Sequence, residues 1–153
     1  MEREGAILLS NALKVDRPSL GGDAPVGLFR LVRLVALEEI VGRGASGTFY
    51  HAGKKLGATL GLTTVEEFLK LCADLRIGRI EVKPLSDDAL HIDVHECVTC
   101  SGMDPVGRVL CHFEGGLISG ALKSILGRDN RATEVTCIGG LGDETCGFVV
   151  NLH

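Results

Sequence analysis

Cysteine spacing is the feature that most constrains the fold of this 153-residue chain. Five of the six cysteines fall between Cys97 and Cys146. Cys137 and Cys146 flank the glycine-rich segment 139–142, which can turn the chain back and bring both sulfurs towards Cys111. Thiolates are soft ligands that zinc binds in groups of four, so the spacing predicts a bound zinc. The alternative is that these are small buried core residues, because free cysteine is among the most buried residue types.

Composition predicts a single domain in a reducing compartment. A chain of this length buries roughly 70% of the surface of its unfolded form, so it needs no disulfides to fold. The first residues lack the basic and apolar regions of a secretory signal, and Arg30 and Arg33 interrupt the most apolar stretch. These features predict a cytoplasmic protein without a membrane span. The net charge of -4 and the absence of Trp argue against nucleic-acid binding.

The first half of the chain shows the period of helices after an irregular start. Residues 1–25 are broken by Pro18 and by the glycines and prolines at 21–25, which predicts an N-terminal arm or a short hairpin. A single domain is predicted for residues 26–153. It begins with three helices, which the apolar spacing places at about 26–41, 46–60 and 63–75.

Two of these helices carry more specific signals. The second contains Gly53, Gly57 and Gly61, which recur every four residues and clear one stripe for the close approach of another backbone. The third begins with two threonines followed by two glutamates at 63–67, which is the pattern of a capping box.

The period changes to the alternation of strands after residue 78. The elements predicted there are strands at 79–84 and 89–96, a helix at 106–126, and strands at 132–138 and 147–152. Gly116 and Gly120 clear a second stripe on the helix. The predicted fold is therefore α+β, in the order three helices, hairpin, helix, hairpin. Helices should cover one face of an antiparallel sheet.

Two further motifs have a functional and a structural interpretation. Residues 42–47 spell G-x-G-x-x-G, but a helix precedes them where a dinucleotide site needs a strand, so a turn between helices is predicted. Cys97 and Cys100 form a C-x-x-C, which is typical of a redox pair or of half a metal knuckle. A simple loop with two thiols is the alternative, and either cysteine is also a candidate fourth ligand for the zinc.

Three blocks in the C-terminal third resemble the 4-vinyl-reductase domain family, also described as hydrocarbon-binding. The blocks are CHFEGGLISGAL at 111–122, EVTC at 134–137 and GDETCGF at 142–148. The resemblance covers about 79–150 and is weaker upstream. It implies a fold shared with aromatic-sensing regulator domains and vesicle-tethering transport-particle subunits. It also implies a homodimer with an internal apolar pocket beside a zinc site.

The resemblance further implies a set of zinc ligands. In the aromatic-sensing relatives three cysteines and a glutamate hold the metal, and these carry over to Cys111, Glu134, Cys137 and Cys146. Residues three apart on a regular strand face opposite sides of a sheet. A bulge near 135–136 is therefore needed to turn both Glu134 and Cys137 towards the metal; otherwise Cys100 replaces Glu134.

These observations favour a stand-alone binding protein for a hydrocarbon or aromatic molecule, possessing a structural zinc and acting as a sensor or carrier. The pocket is expected between helices and sheet, and its candidate lining residues are Phe49, Tyr50, Phe68, Leu90, Phe113 and Leu117. Because the chain has no Trp, specificity for phenol is not expected. The alternatives are an enzyme or accessory factor in tetrapyrrole vinyl reduction, and a protein–protein adaptor. Catalysis has little support, since no nucleophile or nucleotide site is evident.

Overall fold

The computed structural model describes residues 5–153, and it has the predicted α+β architecture. The strands are β1 (Arg79–Ser86), β2 (Ala89–His95), β3 (Asn130–Thr136) and β4 (Cys146–Leu152). The helices are α1 (Leu9–Ala12), α2 (Val26–Arg30), α3 (Leu37–Val41), α4 (Ala45–Thr59), α5 (Val65–Asp74), α6 (His112–Leu126) and α7 (Ile138–Leu141). The sheet has the order β1-β2-β4-β3, and every neighbouring pair is antiparallel.

The core lies between the apolar face of the sheet and the helices. Ile92 on β2 lies opposite Val82 of β1 and Phe148 of β4. Ile92 and Phe148 are fully buried, and they belong to the same core cluster as Ile118 and Leu122 of α6. Alternation along the strands therefore produces one buried face, as the sequence predicts.

The other face of the sheet carries a polar network around Asp93. This carboxylate accepts hydrogen bonds from Lys83 Nζ at 3.0 Å and Thr145 Oγ1 at 2.8 Å, and it lies 3.1 Å from His91 Nε2. Burial raises the pKa of Asp93, but the hydrogen bonds outweigh burial and lower the pKa to about 2. The group is thus held ionised as part of the sheet, where no nucleophile accompanies it.

The first helical segment is a continuous rod in spite of its three parts. A π-helical turn, Leu31–Ala36, joins α2 to α3, and a 3-10 turn, Gly42–Gly44, leads directly into α4. The G-x-G-x-x-G motif is therefore a connection between helices, as predicted. The capping box of α5 is also present, since Thr64 Oγ1 accepts from the N–H of Glu67 and Glu67 accepts from that of Thr64.

The two glycine stripes face each other. A Cβ added at Gly53 or Gly57 of α4 would overlap the backbone of α6, and one added at Gly116 or Gly120 would overlap the backbone of α4. The contacts advance together along both chains, so the two helices run in the same direction. Gly61 does not belong to the contact; its φ of +68° follows the end of α4.

Three details differ from the sequence prediction. The helix predicted at 106–126 begins only at His112, because Gly107 has a φ of +85° and the N–H groups of Val106 and Gly107 bond to Gly140. Residues 5–25 contain the helical turn α1 and no strand, so the predicted hairpin is wrong there; its apolar stretches are short and exposed. Residues 1–4 of the predicted arm lie outside the described residues. The last turn includes the short helix α7.

Within residues 5–153, no helix is both long enough and apolar enough to cross a bilayer.

Candidate metal centre

A β-bulge brings two of the candidate ligands to the same side of the sheet. Glu134 lies opposite Phe148, whereas Thr136 lies opposite Gly147, so the register shifts between them and Val135 is the extra residue. The shift turns Glu134 and Cys137 towards the interior together. This is the bulge that a shared ligand role requires, and its presence confirms that expectation.

Small residues let three loops meet around the sulfurs. A Cβ at Gly139 would overlap Cys100, and one at Gly140 would overlap the backbone of Arg108 and the sulfur of Cys137. Asp143 holds the turn closed by accepting a 2.8 Å hydrogen bond from the N–H of Cys137. The glycines of this turn are therefore required by close packing.

Five cysteine sulfurs converge in this space, and all five side chains are fully buried. The Sγ–Sγ separations are 3.5 Å for Cys97–Cys111, 3.5 Å for Cys100–Cys111, 3.3 Å for Cys100–Cys146, 3.9 Å for Cys100–Cys137 and 3.6 Å for Cys111–Cys146. Zn–S bonds of about 2.3 Å give a tetrahedron with edges of about 3.8 Å. The observed spacing therefore suits tetrahedral metal binding.

The donors form two overlapping groups of four. One group is Cys97, Cys100, Cys111 and Cys146; the other is Cys111, Glu134, Cys137 and Cys146. Within each group the ligand atoms lie within 4.8 Å of one another. The second group is the set implied by the family resemblance, and the first contains the C-x-x-C motif. Either group can hold a metal ion.

Glu134 has the environment of a metal ligand. Its Oε2 accepts a 2.9 Å hydrogen bond from the N–H of Cys111, whereas its Oε1 is buried and has no hydrogen-bond partner. Burial, with the nearby charge of Cys137 adding to it, raises the pKa of Glu134 to about 9. An unpartnered buried oxygen costs free energy unless something binds it, and a cation among thiolates would do so.

The clustered thiols differ from the isolated one. Hydrogen bonds from other thiols, first that of Cys111, lower the pKa of Cys100 to about 4. Burial alone raises the pKa of Cys72, outside the cluster, to about 12. Metal binding needs deprotonated sulfur, so the cluster is the suitable place for it. The core interpretation of cysteine applies to Cys72.

A cavity of about 580 Å³ lies beside the cluster, between α4, α6 and β3. Its lining residues are Ser46, Gly47, Tyr50, Lys54, Val109, His112, Gly115, Arg131, Ala132, Thr133, Glu134 and Phe148. Glu134 therefore belongs both to the cavity wall and to a group of metal donors. Burial, and then the charges of Arg33 and Arg108, lower the pKa of His112.

Of the six predicted pocket residues, Tyr50 lines this cavity. Phe49 instead lies under the guanidinium of Arg33, 4.0 Å from it, and Phe68 and Leu117 belong to the core cluster. Leu90 packs against that cluster, and Phe113 meets the backbone approach at Gly53. The reason is the orientation of α4: its glycine stripe faces α6, so its Ser46-Tyr50-Lys54 stripe faces the edge of the sheet. That spacing of four was the available signal.

Comparison with known proteins follows the same division of the chain. The vinyl-4-reductase domain model matches residues 90–152. The uncharacterized proteins MJ1642 and MJ0150 of Methanocaldococcus jannaschii are similar in sequence. MJ1642 is 32% identical over 133 residues, which cover 87% of this chain and 81% of that protein. MJ0150 is 34% identical over 141 residues, covering 88% and 80%.

Three solved structures share the fold. A vinyl-4-reductase family protein from Methanocaldococcus jannaschii has a TM-score of 0.66 at 23% identity, covering 86% of this chain and 83% of that one. The phenol-responsive sensory domain of the transcription activator PoxR, with phenol, has 0.62 at 12%, covering 84% and 75%. A trafficking protein particle complex subunit 3 from Naegleria fowleri, covalently bound to palmitic acid, has 0.60 at 17%, covering 84% and 95%. With its relatives and its domain match, this chain belongs to the vinyl-4-reductase domain family.

Proposed function

We propose that the protein binds a small apolar or aromatic molecule in the cavity between α4, α6 and β3, and that a zinc ion beside the cavity fixes one of its walls. The observation that carries this proposal is the double position of Glu134, which lines the cavity and stands among the metal donors. Cytoplasmic location and a carrier or sensor role are part of the same proposal.

The size and lining of the cavity support a small-molecule ligand. Binding sites usually have volumes of about 300–1,000 Å³ and combine apolar walls with a few polar groups. Here Val109, Ala132 and Phe148 supply apolar surface, and Lys54 and Arg131 supply charge. PoxR binds phenol and the transport-particle subunit carries palmitic acid on the same fold, which favours an aromatic or aliphatic ligand.

The proposed zinc has a structural role. Its ligands are Cys111, Glu134, Cys137 and Cys146. Zinc with four protein ligands is closed to substrate and supplies a rigid junction, not an activated water. The residues themselves do the remaining work: Cys111 joins the start of α6 to the bulge through its N–H, and Asp143 holds the turn before β4.

Ligand binding should raise the melting temperature in a concentration-dependent way. A molecule that binds only the folded protein at 100 times its Kd stabilises it by roughly 2.7 kcal/mol. We expect a library of apolar aromatics and fatty acids to contain such compounds. Ser46→Trp should abolish the shift because it fills the cavity, whereas the exposed Thr48→Trp on the same helix should keep it. If no compound shifts the melt, or both variants behave alike, the cavity is not a binding site.

We also propose a homodimer that forms through the first helical segment. Leu28, Leu31, Val32 and Val35 form one apolar stripe there, with exposed fractions of 49–61%. The opposite side is held inward, since Arg30 Nε and Nη2 donate to the carbonyls of Val98 and Ser101 at 2.9 and 2.8 Å. Contiguous exposed apolar surface marks interaction sites, and two-fold dimers are the commonest assembly of soluble proteins.

Light scattering at micromolar concentration tests the dimer. The wild type should show twice the chain mass of 16.2 kDa, and the double variant Leu31→Asp, Val35→Asp should show that chain mass. Leu85→Asp is the control, because Leu85 is 58% exposed but lies at the end of β1. A monomeric wild type, or a double variant that stays dimeric, would overturn the proposal.

A further inference from the structure

The C-x-x-C pair is left over by the proposed zinc site. Neither Cys97 nor Cys100 belongs to the group that contains Glu134, yet both are fully buried and both contribute to the other group of four donors. We propose that this pair holds a second zinc ion, and that Cys111 and Cys146 bridge the two ions. This inference rests on the proposed zinc site and adds a second metal position to it.

The donor count fits two tetrahedral ions. The two groups share Cys111 and Cys146, and these two sulfurs lie 3.6 Å apart. Each ion would therefore receive the two shared thiolates and two ligands of its own. Cys97 and Cys100 are the unshared ligands on one side, and Glu134 and Cys137 are those on the other. All six donors are thereby used, including the buried Oε1 of Glu134 that lacks a partner.

Charge favours the second ion. One zinc with three thiolates and a carboxylate has a formal net charge of about -2. If Cys97 and Cys100 ionised without another cation, they would add two buried negative charges, which is costly. A second zinc cancels those two charges, so the complete centre again has a net charge of about -2.

The loop that carries the pair is built as a metal knuckle. The N–H groups of Cys100 and Ser101 both bond to the carbonyl of Cys97, at 3.3 and 3.0 Å, which points both sulfurs to one side. Val98 donates to the carbonyl of Ile77 at 2.9 Å, and Arg30 holds the loop from the outside. C-x-x-C spacing is common in structural zinc sites. The pair is thus fixed before any metal arrives.

Metal analysis of the full chain, purified without chelators, tests the second site. We expect two zinc ions per chain in the wild type, one in the double variant Cys97→Ser, Cys100→Ser, and one in Glu134→Gln, Cys137→Ser. One zinc in both the wild type and the Cys97, Cys100 variant would overturn the second site and leave the first intact. No zinc in the wild type would overturn both, and so would iron in its place.

Cadmium substitution of the wild type tests the bridges without any variant that must fold. The ¹¹³Cd spectrum of fully loaded protein should show two resonances, split by coupling through the shared sulfurs of Cys111 and Cys146. A single resonance, or two without mutual splitting, would overturn the bridged arrangement.

Discussion

Replacing Cys146 by serine should release the zinc and lower the melting temperature by about 10 °C or more. Cys146 belongs to both groups of donors, so its loss disables every four-ligand arrangement in the cluster. Structural zinc contributes roughly 10–16 kcal/mol of apparent binding free energy in small domains, and part of that is folding free energy. Metal analysis and calorimetry on the same preparation measure both effects.

Cys72→Ser is the matched control for that experiment. Cys72 is as buried as the cluster cysteines, but it lies outside both donor groups. Its replacement should leave the zinc content unchanged and cost about 1–3 kcal/mol for a buried hydroxyl. Full zinc retention in Cys146→Ser would contradict the metal assignment. Equal zinc loss in both variants would show that unfolding, not ligand removal, releases the metal.

Gly53→Ala should destabilise the protein by about 3 kcal/mol or more, whereas Gly47→Ala should stabilise it by roughly 0.5–1 kcal/mol. Both glycines lie on α4. A Cβ at Gly53 would overlap the carbonyl of Phe113 and the N–H of Leu117, which are backbone groups that cannot move without shifting α6. A Cβ at Gly47 meets nothing within 4 Å, so only the better helix propensity of alanine remains.

Urea unfolding of the two variants measures this difference directly. The two substitutions add the same methyl group to the same helix, so propensity cancels in the comparison and the contact with α6 remains. If Gly53→Ala is as stable as Gly47→Ala, the two helices do not approach as closely as described.

Much of the fold follows from local signals that agree with one another. The glycines of α4 and α6 predicted close approach, and each stripe meets the backbone of the other helix. The bulge in β3 followed from a parity argument, since Glu134 and Cys137 cannot face the same side of a regular strand. These inferences succeeded because backbone geometry leaves few solutions.

Other features depend on long-range contacts that periodicity does not record. The apolar pattern continues through 106–111, but hydrogen bonds to Gly140 hold Val106 and Gly107 out of the helix. The cavity lies on the Ser46 and Tyr50 face of α4, and which face meets the sheet is decided by the packing of the other face. The meeting of Cys97 with Cys111 likewise depends on a loop clamped from outside by Arg30.

Anomalous diffraction at the zinc absorption edge, from crystals grown without chelators, tests the metal centre most directly. We expect anomalous density enclosed by the sulfurs of Cys111, Cys137 and Cys146 and next to Glu134 Oε1, with a second peak on the side of Cys97 and Cys100. Absence of anomalous density from the whole cluster, with the five cysteines present as free thiols or disulfides, would contradict the account.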